Sequence, residues 1–306
     1  MAARYPRLHE YTHHGRGWVS FSVGLNLCFY MCRPHEEIAP SVMRALEVYL
    51  KAVGGPQVLT QYGGYEDETQ TLDAASWEWV RREMSGPQRG FADLRDDPSE
   101  QRYRFEYEGQ DLRPEPDILR TGPVNFVTLW LPAEYLETHG PARVRELALT
   151  LASLLPFDSG HCGLSFNSEF LFGETYQSIK KICFRYPGID IPMLGNLGSL
   201  LGTRIDGVHW LNFLGPAVLK SLGGVEALRA RIASPGTTVQ ELGDSRALVT
   251  LGKWPEAGDL EAGQDLPAYR ELARVLEPCL FELTGEYRPG EVSTEDLRRW
   301  GRRFLD

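Results

Sequence analysis

Cysteine, long apolar runs and basic charge are all scarce in this chain of 306 residues. The five cysteines are Cys28, Cys32, Cys162, Cys183 and Cys279. An odd, sparse set without CxxC pairs excludes a disulfide scaffold and fits the reduced thiols of a cytoplasmic protein. Cys28 and Cys32 fall in one extended segment, which puts their Cα atoms ~13 Å apart. A disulfide needs less than about 7 Å, and shared zinc ligation fails on the same spacing. His13 and His14 form a pair for which the sequence places no further ligands. Neither a metal nor a cofactor is expected.

No apolar run approaches the ~20 residues of a membrane span. Val19–Met31 and Val124–Leu131 are too short and alternate in polarity. The first residues, Met1-Ala-Ala-Arg-Tyr-Pro6, lack the apolar centre of a signal peptide, so no export is expected. Lys and Arg total 32 against 42 Asp and Glu, a net charge of −10. That balance argues against direct nucleic-acid binding, which usually leaves a basic footprint. It suits a cationic protein partner. Hydrophobic residues make up 42% of the chain, enough for a substantial core.

The acidity is concentrated. Residues 66–117 hold fifteen acids against seven arginines, −8 of the total −10. A second acidic stretch contains Glu256, Asp259, Glu261 and Asp265. Tyr62, Tyr65, Trp77 and Trp79 bracket Glu66, Asp67, Glu68 and Asp73. Aromatic anchors amid charge suit an interface, where rings contribute buried area and charges steer encounter. Ordinary solvated surface is the competing reading of such a run. Trp77 also fits the core face of its helix, which turns Trp79 elsewhere.

Hydrophobic periodicity gives an α+β chain of mixed or antiparallel sheets with flanking helices and recurring strand–helix–strand units. Val19–Met31 alternates with period two over thirteen residues, a long strand with its odd-numbered side chains buried. One-sided covering of its sheet is expected. Ile38, Val42, Leu46, Tyr49 and Val53 mark a helix that Gly54-Gly55 stops. Asp73–Met84 reads as a helix and Arg102–Glu108 as a strand. The proline-rich segment Asp111–Pro123 suggests a boundary between an N-terminal part, 1–122, and a C-terminal part, 123–306. In the second part, strands are expected at Val124–Leu131, Cys162–Phe166 and Val208–Phe213. A hairpin is expected over Thr237–Leu251, helices after Pro141, over Glu174–Phe184 and over Ala268–Phe281, and a Ser293-capped helix at the end. Met193–Gly202, spaced by glycines, reads as loop.

No catalytic constellation forms on paper. Asp158, Ser159 and His161 are too close in sequence to line up as a triad, and no GxSxG elbow accompanies them. His161 and Cys162 are strand neighbours that face opposite ways. Gly195-Asn-Leu-Gly-Ser-Leu-Leu-Gly202 is neither GxGxxG nor a Walker loop.

A resemblance lies in an ordered series of short motifs. They are Leu131-Pro-Ala-Glu-Tyr-Leu136, Gly140-Pro-Ala-Arg-Val-Arg-Glu-Leu147, Ser159-Gly-His-Cys-Gly-Leu-Ser-Phe166, Tyr186-Pro-Gly-Ile-Asp190, His209-Trp-Leu-Asn-Phe-Leu-Gly215, Leu222-Gly-Gly-Val225, and Gly258-Asp259 before Tyr269. In order and spacing this series resembles the TsiV family of bacterial type VI secretion immunity proteins. The resemblance implies an antitoxin that binds and blocks a cognate effector toxin of the VRR-Nuc nuclease type. It supplies no catalytic motif to transfer.

A cytoplasmic, non-enzymatic inhibitor is therefore expected, with Tyr65, Glu66, Asp67, Glu68, Asp73, Trp79, Asp93, Asp96 and Asp97 on its toxin-facing surface. The alternatives are a small-molecule enzyme with a site around Asp158–His161 and a scaffold of a bacterial defence complex.

Overall fold

The structure is a computed structural model that describes residues 5–11, 19–63, 69–97, 99–112, 122–168, 173–192, 194–282 and 293–306. Its strands are β1 (His9–Tyr11), β2 (Val19–Met31), β3 (Gln61–Gly63), β4 (Thr69–Thr71), β5 (Arg89–Arg95), β6 (Arg104–Gln110), β7 (Asn125–Pro132), β8 (Ser159–Asn167), β9 (Ile189–Asp190), β10 (Leu211–Leu214), β11 (Thr237–Leu242) and β12 (Arg246–Leu251). The helices are α1 (His35–Val53), α2 (Ala74–Met84), α3 (Ala133–Leu154), α4 (Gly173–Cys183), α5 (Leu194–Leu200), α6 (Pro216–Leu222), α7 (Val225–Arg231), α8 (Pro267–Leu276) and α9 (Thr294–Gly301). The architecture is α+β, as the periodicity indicates.

One sheet carries all twelve strands, in the order β11-β12-β10-β8-β2-β7-β6-β5-β3-β4, with β1 added beside β2 and β9 beside β8. Every pairing is antiparallel except that of β8 with β9. β2 lies between β7 and β8, so the sheet runs without a break through strands from both sides of residue 122.

Of the odd side chains of β2, Val19 is buried, Phe21, Leu25, Leu27, Phe29 and Met31 join the main core, and Val23 is half-buried against it. α1 packs there through Ile38, Val42, Leu46 and Tyr49, and the Tyr49 hydroxyl donates to the Trp130 carbonyl at 2.8 Å. α1 ends at Gly54, whose φ of 109° is the left-handed conformation that glycine tolerates.

The expectation of one-sided covering fails in the C-terminal half of β2. Asn26, Cys28 and Tyr30 are buried as well. Leu197, Leu200, Leu201 and Phe281 cluster with Cys28, Tyr30 and Phe126. Leu197 and Leu200 belong to α5, a helix where the glycine spacing suggested a loop. A third cluster joins β10 and β12 to α6, α7 and α8 through Leu214, Val249, Leu222, Leu228 and Leu272.

Close backbone approach explains one motif glycine. The Gly215 N–H donates to the Asp158 carbonyl at 3.0 Å, where β8 begins and β10 ends. A Cβ on residue 215 would sit 2.2 Å from that carbonyl oxygen, and main chain cannot step aside as a side chain can. Gly215→Ala is expected to cost about 1–3 kcal/mol, the usual range for overpacking. A urea midpoint unchanged from wild type would show that the crossing relaxes freely.

Candidate functional site

The nine residues expected to face a toxin do not share one environment. Tyr65, Glu66, Asp67 and Glu68 lie outside the described residues. Asp73 is exposed and caps α2, accepting from the Ser76 N–H at 2.8 Å. Asp97 is exposed and accepts from the Ser99 N–H at 2.8 Å. Both follow segments joined through Thr60, whose N–H donates to the Arg95 carbonyl while its own carbonyl accepts from Leu72. The two carboxylates thus mark the same end of the β3–β5 edge. Trp79 is half-buried, its ring 5.2 Å from that of Tyr62.

Asp93 and Asp96 are buried instead, which corrects the surface placement expected of them. Asp93 accepts from Arg104 Nε at 2.7 Å and Nη2 at 2.8 Å, and from Arg95 Nε at 3.0 Å. Arg104 also lies over the Trp130 ring and meets Glu106 at 3.2 Å. Burial pushes the Asp93 carboxyl up, but the two guanidinium groups outweigh it and hold it well below the usual carboxylate range. Among the described residues, no cation pairs with Asp96 to offset burial. The Asp96 carboxylate accepts from the Arg102 N–H, yet burial pushes it up to about 7.

The triad suggested by Asp158, Ser159 and His161 does not assemble. The Asp158 carboxylate accepts from the Cys32 N–H at 2.7 Å. Ser159 and His161 are both buried in β8. All five thiols are free.

His161 meets different partners, which sequence reasoning missed. Its ring stacks on that of His209 at 3.8 Å, with 13° between the planes. His161 Nδ1 lies 3.2 Å from Asp206 Oδ2, and His209 Nε2 lies 3.3 Å from Asp190 Oδ2. Arg303, just beyond α9, donates to Asp190 at 2.8 Å and to the Pro187 carbonyl at 3.0 Å. The Tyr30 hydroxyl donates to Asp206 at 2.9 Å. The Asn212 side chain bridges the backbone N–H and carbonyl of His209, which fixes the entry into β10. Gly163 allows the His209 side chain to lie against β8, since a Cβ there would be 3.3 Å from the His209 Cβ.

Charge in this cluster is divided unevenly. Burial pushes the His161 imidazole down, but Asp206 outweighs it and leaves a net rise. Burial and the neighbouring His161 charge lower His209. Asp190 is held well below the usual range against burial by His209 and Arg303. The partners come from β2, β9, the segment before β10 and Arg303 beyond α9. His161, Asp190 and His209 each fall in one of the ordered motifs, but those motifs lie far apart in the sequence, and Asp206 and Arg303 lie outside them.

The family model for TsiV, type VI immunity for VRR-NUC, matches residues 41–304. The chain belongs to the TsiV family. As a TsiV chain it is a type VI immunity protein, and the resemblance read from the ordered motifs is the right one. A solved structure, the Pseudomonas aeruginosa T6SS protein PA0821, superposes on this TsiV chain with a TM-score of 0.78. The match covers 99% of this chain and 89% of PA0821 at 20% sequence identity, which establishes a shared fold. Among curated proteins, no match was found.

Proposed function

We propose that this immunity protein binds a cognate VRR-NUC nuclease in the cytoplasm and neutralises it by occlusion, with no catalysis of its own. The family match over residues 41–304 carries this reading. Charge supports it. A nuclease presents basic surface to a polyanion. A partner with a net charge of −10 competes for that surface and gains association rate from steering.

The toxin-facing surface comprises Tyr65, Glu66, Asp67 and Glu68, with Asp73 after β4 and Asp97 after β5 at the same end of the sheet, and Trp79. Asp93 contributes by holding β5 to β6 through Arg104 rather than by touching the toxin, and the buried Asp96 is not part of the contact. Rim charges act mainly through association and are screened over ~8 Å at physiological salt.

Binding kinetics of the purified chain with a VRR-NUC toxin test both levels of the proposal. The variant Glu66→Lys, Asp67→Lys, Glu68→Lys is expected to associate more slowly at low salt, with less slowing at high salt and little change in dissociation. Stability should hold, since exposed charges contribute roughly 0–1 kcal/mol each. An unchanged association rate at low salt removes this surface from the interface. A wild-type chain that neither binds nor inhibits its co-encoded nuclease overturns the function itself.

A further inference from the structure

His161, His209 and Asp206 each offer a ligand atom, and these atoms lie within 4.8 Å of one another. Both imidazoles are almost wholly buried, at 3% and 4% exposure. Among the described residues, none of their four ring nitrogens makes a hydrogen bond of good geometry. Carboxylate oxygens are nevertheless 3.2 Å and 3.3 Å away. Buried polar atoms are normally satisfied, so His161 Nε2 and His209 Nδ1, which face no carboxylate, require an explanation.

We propose that these three side chains bind a divalent transition-metal ion, with zinc the best fit to two imidazoles and one carboxylate. The 3.2 Å between His161 Nδ1 and Asp206 Oδ2 is about the edge of a tetrahedron with ~2.0 Å metal–ligand bonds. Two of the three donors, His209 and Asp206, already have the outer partner that metal ligands usually carry. Asp190 faces His209 Nε2, leaving Nδ1 for the ion. The Tyr30 hydroxyl holds Asp206, and Arg303 holds Asp190. With both imidazoles neutral, as ligation demands, Asp190 and Asp206 outnumber Arg303 by one charge, and the site attracts a cation.

Bringing both rings onto one ion costs their stack, because two near-parallel imidazoles cannot both aim a lone pair at one point. One ring turns about its Cβ–Cγ bond and re-forms its carboxylate contact in the new position, and the fourth position is left to water. The ion then clasps β8 to the segment before β10 and, through Asp190 and Arg303, to β9 and the C-terminus.

The test uses the full chain, washed with chelator, incubated with zinc chloride and passed over a desalting column. Elemental analysis is expected to find about one zinc per chain, and the melting temperature is expected to be higher with zinc than with EDTA. The double variant His161→Gln, His209→Gln should lose the bound zinc. Should that variant fail to fold, Asp190→Asn keeps all three ligands and is expected to weaken zinc binding about 10–100-fold. A wild-type chain that elutes without zinc and melts identically with zinc and EDTA overturns the proposal. So does a folded variant of either kind that retains zinc with wild-type affinity.

Discussion

Asp93→Leu is expected to destabilise the protein by about 3–5 kcal/mol, the usual cost of removing one partner from a buried ion pair. Arg104 and Arg95 both donate hydrogen bonds to Asp93. Arg104 has a side-chain exposure of 10%, and Asp93 of 6%. Without the carboxylate, Arg104 keeps, among the described residues, the ion pair with Glu106 on the same face of β6. Replacing Arg104 by methionine in the same chain should recover much of the loss, because an apolar pair of similar volume is often neutral. Urea denaturation measures both variants. A change below about 1 kcal/mol for Asp93→Leu would mean that Asp93 behaves as a surface charge. It would return this residue to the toxin-facing set.

Asp96→Asn is expected to stabilise the protein, and more so as pH rises. The Asp96 carboxyl is pushed up to about 7 in the fold, against about 3.9 in an unfolded chain. Below both values each state is protonated and the residue contributes no pH dependence. Between them the folded state holds a proton that the unfolded state lacks, so stability falls as pH rises, by at most ~1.4 kcal/mol per unit. Above pH 7 the penalty is complete. Asparagine never ionises, and its amide oxygen still accepts from the Arg102 N–H. The gain should grow from near zero at pH 4 to about 1–3 kcal/mol at pH 8. Urea midpoints of the two proteins at pH 4, 6 and 8 decide it. A gap that does not widen with pH would place the native Asp96 carboxyl in its ordinary range.

Elements with an unmixed signal were legible in the sequence. β2 announced itself by thirteen residues of alternation, α1 by its apolar stripe and glycine stop, and α9 by Ser293, whose hydroxyl accepts from the Asp296 N–H at 3.0 Å. β5 was not legible, because arginines at both ends and Asp93 inside disguise a strand whose Ala92 and Leu94 are buried. α5 was missed because glycines break its apolar pattern, although Leu197 and Leu200 close over the second face of the sheet.

Polar burial was the least legible feature. Alternation of Arg102, Arg104 and Glu106 with Tyr103, Phe105 and Tyr107 says that one set faces out. It cannot say that Arg104 is buried by Trp130 and Asp93 from neighbouring strands. The histidine cluster was hidden for the same reason. Sequence neighbours of His161 suggested Asp158 and Ser159, whereas its partners Asp206 and His209 arrive through the chain reversal ahead of β10.

The placement of β2 between β7 and β8 has a consequence for how the chain comes into being. β2 is made early, yet the strands that flank it along its length are made last among the three. At ~5–20 residues per second, β8 follows β2 by roughly six to twenty-seven seconds of synthesis. Through that interval the edge of β2 that β8 will cover, Ser22–Tyr30, stays unpaired and is open to mispairing and to chaperones. The sheet is therefore complete only well after translation begins, and the amount of immunity protein available at any moment is the stock already folded.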